Sequence, residues 1–274
     1  MISEVSHKLI SDFTKNIGKP ALMVKSPGRA NLIGEHVDYC GGSVLPFAIE
    51  QSMYFVGTHS EEKSLYYSHD YDQMWHSGIP VSEVDWSRYV SQIHGLAEAR
   101  QLSIQPSIIH FVSEIPIGAG LSSSTALCCG LLSTLNFLND WGLSSTDIIT
   151  MASEAEHGMG LKGGLMDQHA IMLGKRDHLL HLDCRDNSYD HVPIPRDSVN
   201  FFVLNSRVQH NLVDSEYNNR RLEVETALSK VNELCVGARE PIQFTDVDDK
   251  HVDCLLYTSP SPRDATLSRM PSSA

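Results

Sequence analysis

The chain has 274 residues, of which 41% are hydrophobic and 20% are charged, and its formal net charge is -13. This length allows one large domain or two smaller ones, the acidic balance argues against a nucleic-acid-binding surface, and no apolar run reaches the roughly 18 residues of a membrane-spanning helix. The N-terminus lacks the features of a secretion signal and the six cysteines form no CxxC pair, so we expect a cytoplasmic protein without a disulfide framework or a zinc site.

The first elements along the chain are a helix and several short strands. Apolar residues recur every four positions at Val5, Leu9, Phe13 and Ile17, which predicts an amphipathic helix that ends before Gly18. The residue pattern after this helix predicts a second helix at 90–100 and strands at 21–24, 48–58, 65–68 and 107–112.

Charged side chains are crowded into a glycine-rich stretch between residues 26 and 46, which we expect to be a loop. Arg29, Glu35, His36 and Asp38 lie there. Such side chains can select the stereochemistry of a polyhydroxylated ligand, because every sugar hydroxyl both donates and accepts hydrogen bonds. The alternative interpretation is an arginine–carboxylate network that only fixes the loop.

A glycine- and serine-rich run at residues 116–126 separates the strand at 107–112 from an apolar helix predicted at 125–138. Its glycines can adopt positive φ and approach a ligand closely, and the start of the following helix would attract an anion. The run therefore predicts a phosphate-binding loop. It is not a Walker A loop, because no lysine follows the glycines. The alternative is a turn that caps a core helix.

A third polar stretch follows a helix predicted at 144–157, with Ser144 and Asp147 forming its capping box. Glycines lead from this helix to Asp167, whose carboxylate could act on a substrate hydroxyl as a base or an orienting group. Glu156 is a candidate acidic ligand for Mg²⁺. The alternative for Asp167 is that it caps a helix starting at Gln168.

The remaining pattern predicts strands at 179–183 and 200–205 and a helix from Asp214. One face of that helix carries Tyr217, Val224, Leu228, Val231 and Cys235. Prolines at positions 193 and 195 mark a plausible domain boundary. We therefore divide the chain into residues 1–195, residues 196–253 and a tail at 254–274.

Four stretches, in this order along the chain, together resemble the GHMP sugar kinases, and among them the branch that phosphorylates galactose. They are Gly28–Tyr39, Pro116–Ser124, Gly163–Gln168 and Ser206–Arg221. The resemblance covers roughly residues 20–240 and implies an α+β fold of two domains. The active site would lie in the cleft between the domains, and the second domain would be incomplete.

The resemblance also implies roles for individual residues on the sugar side. Asp167 would orient or deprotonate the C1 hydroxyl, and Arg29 would stabilise the reacting hydroxyl and the transferring phosphoryl group. The residues that would hold the other sugar hydroxyls are Glu35, His36, Asp38, Gly164 and Tyr217.

On the nucleotide side, the resemblance implies that the phosphate-binding loop holds the phosphates of ATP. The residues concerned are Gly118, Gly120, Leu121, Ser122, Ser123 and Ser124. Mg²⁺ would lie near Ser124 and Glu156.

The implied reaction is the ATP-dependent phosphorylation of galactose at its C1 hydroxyl, by a monomer whose partners are this sugar and ATP. Two alternatives stay open. Gly163 stands where many galactose-phosphorylating relatives have cysteine, and the spacing from Glu156 to Asp167 is one residue shorter than theirs, which favours N-acetylgalactosamine as substrate. The other alternative is a catalytically silent, sugar-binding regulator on the same scaffold.

The last 21 residues, 254–274, are rich in serine and proline and show no helical or strand period. They resemble the in-frame translation of a common sequencing-library adaptor. We therefore expect native sequence to stop near Asp253, the tail to be disordered, and turnover by this chain to be weak or absent.

Overall fold

The computed structural model describes residues 3–76, 85–195, 197, 199–204, 216–234 and 246–247. The fold is α+β, as the sequence predicts. The helices are α1 (Glu4–Asn16), α2 (Asp85–Ala99), α3 (Ser123–Leu138), α4 (Ser145–Gly158), α5 (Met166–Leu173) and α6 (Glu216–Leu234). The strands are β1 (Leu22–Asn31), β2 (Ser43–Val44), β3 (Pro46–His59), β4 (Leu65–Ser68), β5 (Gln73–His76), β6 (Ser107–Ser113), β7 (His178–Asp183) and β8 (Ser188–Pro193).

The described strands form two sheets. The larger sheet has the order β1-β3-β6-β4-β5, with β4 and β6 parallel and the other pairs antiparallel. The smaller sheet has the order β2-β7-β8 and is antiparallel. Because Leu45 alone separates β2 from β3, the chain passes from the smaller sheet to the larger one at the end of the charged stretch at residues 26–46.

The larger sheet is covered on both faces because β3 alternates its side chains between two apolar clusters. Tyr54 and Val56 pack with Leu9 and Phe13 of α1. Phe55 lies in the main core, together with the buried residues of α3. Helix α3 is apolar around most of its surface, and this composition explains its burial within the main core.

Helices α1 and α4 begin with side-chain caps, of which the sequence predicts the second. Ser3 caps α1 by accepting a hydrogen bond from the backbone N–H of Ser6 at 3.2 Å. Ser144 and Asp147 form the predicted capping box at the start of α4, with the Ser144 N–H donating to the Asp147 carboxylate at 2.8 Å. Both predicted helices are therefore confirmed.

Two parts of the prediction need correction. Residues 200–204 form no strand, and Phe202 is 85% exposed; Asn205, the last residue of that predicted strand, lies outside the described residues. Strand β1 continues through Arg29 to Asn31, so the first part of the predicted loop at 26–46 is a strand.

Other predictions fall on residues that the structure does not describe. These are the ends of the last helix at Asp214 and Cys235 and the tail at 254–274. The division into residues 1–195 and 196–253 stays a prediction. Among the described helices, none is long and apolar enough to cross a membrane.

Candidate active site

A cavity of about 460 Å³ is lined by residues from all three polar stretches. From the first stretch it takes Arg29, Glu35, His36 and Asp38. From the other two it takes Gly120, Leu121, Ser122, Ser124, Glu156, Gly164 and Asp167. Gly118 and Ser123 do not line this cavity, and the side chain of Tyr217 lies outside the described part of the chain, although its backbone belongs to α6.

Arg29 and Asp167 form a two-pronged ion pair in the cavity wall. Arg29 Nε donates to Asp167 Oδ1 at 2.6 Å, and Nη2 donates to Oδ2 at 2.8 Å. The two side chains are only 17% and 25% exposed. Burial alone would lower the pKa of the Arg29 guanidinium, but the attraction and hydrogen bonding of Asp167 raise the pKa overall, so the arginine is cationic whenever the protein is folded.

The local backbone explains why Arg29 points into the cavity. The pairing register between β1 and β3 shifts between Pro27 and Arg29, and such irregularities re-aim the side chains that follow. The guanidinium also donates through Nη1 to the carbonyl oxygen of Gly120 at 2.5 Å. Arg29 therefore joins the catalytic candidate Asp167 to the phosphate-loop candidate Gly120.

Asp167 lies in the first turn of α5 but does not cap it, contrary to one of the two interpretations of its position. Helix α5 begins at Met166, and its N-cap residue Leu165 makes no side-chain capping bond. The Asp167 carboxylate instead accepts hydrogen bonds from Arg29 and from the Ser122 hydroxyl. Its direction is therefore set by the site and not by the helix end.

The glycine- and serine-rich loop has the backbone that its composition predicts. Gly118 and Gly120 have φ of 70° and 71°, values that favour glycine. Ser122 also lies in the left-handed region and is the N-cap residue of α3, but it makes no side-chain capping bond, because its hydroxyl donates to Asp167. The first backbone N–H groups of α3 are thus left without a side-chain acceptor from the cap, which suits an anionic ligand.

Glu156 lines the cavity and is only 7% exposed. Its carboxylate accepts hydrogen bonds from Ser124 Oγ at 2.8 Å, Thr125 Oγ1 at 2.9 Å and Gln168 Nε2 at 2.7 Å. Burial raises the pKa of Glu156 to about 7, against the opposing effect of the Ser124 hydroxyl and with a further contribution from the charge of Asp167. These hydrogen-bond donors are hydroxyls and an amide, and none of them carries a positive charge.

The oxygens around Glu156 fit a magnesium ion. Ser124 Oγ and Glu156 Oε1 lie 2.8 Å apart, close to the roughly 3 Å between neighbouring ligands of an octahedral ion bound at about 2.0–2.1 Å. The described residues contain no group of three or more His, Cys, Asp or Glu side chains suited to a metal. Few protein ligands are usual for Mg²⁺, which keeps water and takes phosphate oxygens.

Asp38 and Gly164 both line the cavity and pack against each other. Burial, followed by the nearby charge of Asp167, raises the pKa of Asp38, against the opposing effect of the backbone groups of Tyr39 and Gly164. A Cβ atom at Gly164 would overlap the Asp38 carboxylate, so only glycine allows this approach.

The other candidates of the first stretch are held by neighbours close in sequence. Asn31 Nδ2 donates to Glu35 Oε1 at 3.1 Å, and His36 Nδ1 lies 2.8 Å from the Tyr39 hydroxyl. The structure thus brings Glu35, His36 and Asp38 into the same cavity as part of the phosphate loop.

Several residues lie at the site that the sequence patterns alone do not mark as candidates. Asn31, Thr125 and Gln168 line the cavity. Thr125 and Gln168 directly follow the candidate residues Ser124 and Asp167, and this adjacency is the sequence feature that could have indicated them. Asn31 lies between the candidates Arg29 and Glu35, which is a weaker indication.

Two family models match the chain. The galactokinase galactose-binding signature matches residues 11–59, and the N-terminal domain of the GHMP kinases matches residues 88–175. Together these segments contain Arg29, Asp38, the phosphate loop, Glu156 and Asp167.

Curated relatives point to the same family. The chain is 34% identical over 212 residues to a galactokinase of Thermotoga maritima, a match that covers 76% of this chain and 59% of the relative. It is 36% identical over 236 residues to a galactokinase of Clostridium beijerinckii, covering 82% and 61% of the two proteins. The chain therefore spans about three fifths of the length of these relatives.

Solved structures share the fold. The crystal structure of Lactococcus lactis galactokinase complexed with galactose superposes with a TM-score of 0.79 at 24% identity, covering 94% of this chain and 68% of that one. A mevalonate kinase structure superposes with a TM-score of 0.53 at 18% identity, covering 63% and 56%. At these identities the likeness establishes the fold.

Proposed function

Because the chain belongs to the GHMP kinase family and carries the galactokinase signature of that family, we propose that it phosphorylates galactose at the C1 hydroxyl, with ATP as the phosphoryl donor. The observation that carries this proposal is the Arg29–Asp167 pair, which lines one cavity together with Asp38 and Ser122 and bonds to the Ser122 hydroxyl. A hydroxyl and a phosphoryl group bound in this cavity would meet at the pair.

The proposed reaction needs little covalent work from the protein. The C1 oxygen attacks the γ-phosphorus of ATP, the bond to the bridging oxygen breaks, ADP leaves, and the hydroxyl proton passes to the Asp167 carboxylate. Phosphoryl transfer of this kind depends on positioning and on neutralising charge. Arg29 supplies a fixed cation beside the reacting oxygens, since its guanidinium is already oriented by Asp167 and Gly120.

We assign the selection of the sugar to the charged residues of the first polar stretch, which we call the sugar-binding wall of the cavity. Asp38, Glu35 and His36 would bind the remaining hydroxyls, with Gly164 allowing close approach and Tyr217 contributing from α6. The close packing of Gly164 against Asp38 supports this assignment, because a site built around paired polar groups rejects sugars that leave those groups unpaired.

We assign the nucleotide phosphates to the phosphate-binding loop. Its residues are Gly118, Gly120, Leu121, Ser122, Ser123 and Ser124, of which Gly118 and Ser123 do not line the cavity. Ser124 and Glu156 would hold Mg²⁺, which supplies positive charge to the phosphate oxygens during transfer. The 2.8 Å separation of the Ser124 and Glu156 oxygens supports this pairing.

A panel of sugars tests the proposal. Calorimetric titration measures binding of galactose, N-acetylgalactosamine and glucose, and a coupled assay measures ADP release with MgATP. Since the chain spans 59% of the length of its Thermotoga maritima relative, the assays are run on the chain and on its fusion to the C-terminal part of that relative.

We expect galactose to bind best and the fusion to release ADP with galactose. Preference for N-acetylgalactosamine would select the alternative kinase reaction. Sugar and ATP binding without turnover in the fusion would select the silent regulator. We also propose that the protein is a cytoplasmic monomer, for which light scattering of the purified chain tests the oligomeric state.

A further inference from the structure

We propose that Arg221 is a positioning residue for the sugar-binding wall of the cavity, an inference that rests on the proposed function. Arg221 lies on α6 and does not line the cavity. Its guanidinium instead reaches the glycine-rich turn before α5, where Nη1 donates to the carbonyl oxygens of Lys162 and Gly163, the latter at 3.1 Å.

The peptide group between Gly163 and Gly164 connects Arg221 to the cavity. Its carbonyl oxygen accepts from Arg221 and lies 3.0 Å from His157 Nε2, while Gly164 packs so closely on Asp38 that a Cβ atom would overlap the Asp38 carboxylate. The hydrogen bond from a charged donor fixes the position of this peptide group. Arg221 thereby favours the position in which Gly164 packs against the Asp38 carboxylate.

Arg221 also contacts the chain on the other side of Asp38. Its guanidinium carbon lies 5.8 Å from the centroid of the Tyr39 ring, within the range of a cation–π interaction. The Tyr39 hydroxyl lies 2.8 Å from His36 Nδ1. A single side chain therefore contacts both Tyr39, which follows Asp38, and the turn that packs against its carboxylate.

The guanidinium is itself held in place on its helix. Glu225, one turn further along α6, accepts from Arg221 Nε at 2.8 Å. Arg221 is 24% exposed in its side chain, whereas Glu225 is 53% exposed. The planar guanidinium is suited to this position, because it can bond two carbonyls, pair with a carboxylate and stack on a ring at once.

Arg221→Met tests the inference by removing the charge and keeping much of the side-chain volume. We expect galactose to bind about 10- to 100-fold more weakly, because hydrogen bonds from a charged donor to the turn are lost. Binding of a non-hydrolysable ATP analogue should be unchanged, since the contacts of Arg221 are all on the sugar side. Arg221→Lys should restore binding in part, since an ammonium group keeps the charge but not the fork geometry.

The matched control is Glu223→Gln, which removes an exposed ion pair with Arg220 from the same helix. We expect this variant to bind galactose like the unsubstituted chain. Hydrogen exchange of the peptide covering residues 158–166 supplies a second measurement without ligand, and it should be faster in Arg221→Met than in the control.

The outcomes separate the inference from the proposed function. Loss of galactose affinity in Arg221→Met with unchanged binding of the ATP analogue supports the inference. Equal loss for both ligands, or no loss for galactose, overturns it while the proposed function stands. An unsubstituted chain that binds the ATP analogue but no galactose overturns the proposed substrate, and the inference with it. If Arg221→Met does not fold, Arg221→Lys with unchanged galactose affinity and unchanged hydrogen exchange overturns the inference.

Discussion

Asp167 and Glu156 are two carboxylates of one cavity that lie in opposite electrostatic surroundings. Asp167 accepts both prongs of the Arg29 guanidinium, so a protein cation already balances its charge. Glu156 is more deeply buried and accepts only from hydroxyls and an amide. Burial raises its pKa to about 7, with a further contribution from the charge of Asp167.

This difference in partners suits different roles for the two carboxylates. Asp167 is held by Arg29 and Ser122, which suits a group that must meet a hydroxyl in a fixed position. Glu156 is bonded only to neutral groups, which suits the magnesium ligand that we propose.

Asp167→Asn should have the largest effect on activity. The amide keeps the shape but cannot accept the hydroxyl proton, so we expect kcat to fall about 10²- to 10⁴-fold with little change in galactose affinity. The measurement is steady-state ADP release, paired with calorimetric sugar binding. An Asp167→Asn protein with full kcat would remove this residue from the chemistry.

The next largest effect is the contribution of Glu156 to the pH dependence of the free energy of unfolding. The folded-state pKa of Glu156 lies near 7, above its ordinary value of 4.5, so between these pH values the folded chain binds more protons than the unfolded chain. The free energy of unfolding therefore falls as pH rises through this window, by roughly 3 kcal/mol from this residue without Mg²⁺. Below pH 4.5 this penalty is absent, and above pH 7 it is complete.

Glu156→Gln isolates that contribution, because the amide does not ionise. Denaturant unfolding at several pH values between 4.5 and 8, without metal, should give a smaller decrease in stability for the variant than for the unsubstituted chain. The variant should be the more stable of the two at pH 8. Parallel curves for the two proteins would show that Glu156 does not carry the shift.

The same variant should need more Mg²⁺ to bind the ATP analogue. Loss even of an outer partner of a metal ligand costs about 10- to 100-fold in metal affinity, so we expect at least about tenfold more Mg²⁺ for half-maximal binding of the ATP analogue. Calorimetry at fixed nucleotide and varied Mg²⁺ measures this. An unchanged Mg²⁺ requirement would place the ion elsewhere.

Ser122→Ala should have the smallest effect. It removes one neutral hydroxyl from Asp167 and leaves the Arg29 pair intact, so we expect kcat to fall only about 3- to 10-fold, in line with about 1 kcal/mol for a neutral hydrogen bond. The control is Ser133→Ala, which removes a hydroxyl bonded within α3 to the Cys129 carbonyl. A fall in kcat as large as that of Asp167→Asn would mean that Ser122 does more than orient Asp167.

Much of the fold follows from local patterns in the sequence. The four-residue apolar period gives α1, the capping box of Ser144 and Asp147 gives the start of α4, and β4 matches the predicted strand 65–68. Strands β2, β5 and β8 were not predicted, and β2 lies within the stretch 26–46 that was expected to be a loop. Strand β8 is largely exposed along its length, so its residues show no clear apolar alternation, and its pairing with β7 is a tertiary effect.

The errors at the site have physical causes of the same kind. Pro27 and Gly28 are typical of a turn, yet β1 passes through them with a register shift that aims Arg29 inward. The sequence around Asp167 predicts a helix cap. Its carboxylate instead accepts hydrogen bonds from Arg29 and Ser122, which lie in distant parts of the chain. Local sequence could name these residues as candidates, but only packing decides their partners.

The most direct test of the proposed function is phosphorus NMR of the products formed from galactose and MgATP. The fusion to the C-terminal part of the Thermotoga maritima relative is the protein to use, with its Asp167→Asn form as the reference. We predict a phosphate monoester coupled to the anomeric proton, together with an equal amount of ADP, and both products forming about 10²- to 10⁴-fold more slowly in the Asp167→Asn form. A phosphate on another hydroxyl, or ADP without a phosphorylated sugar, would contradict the proposal.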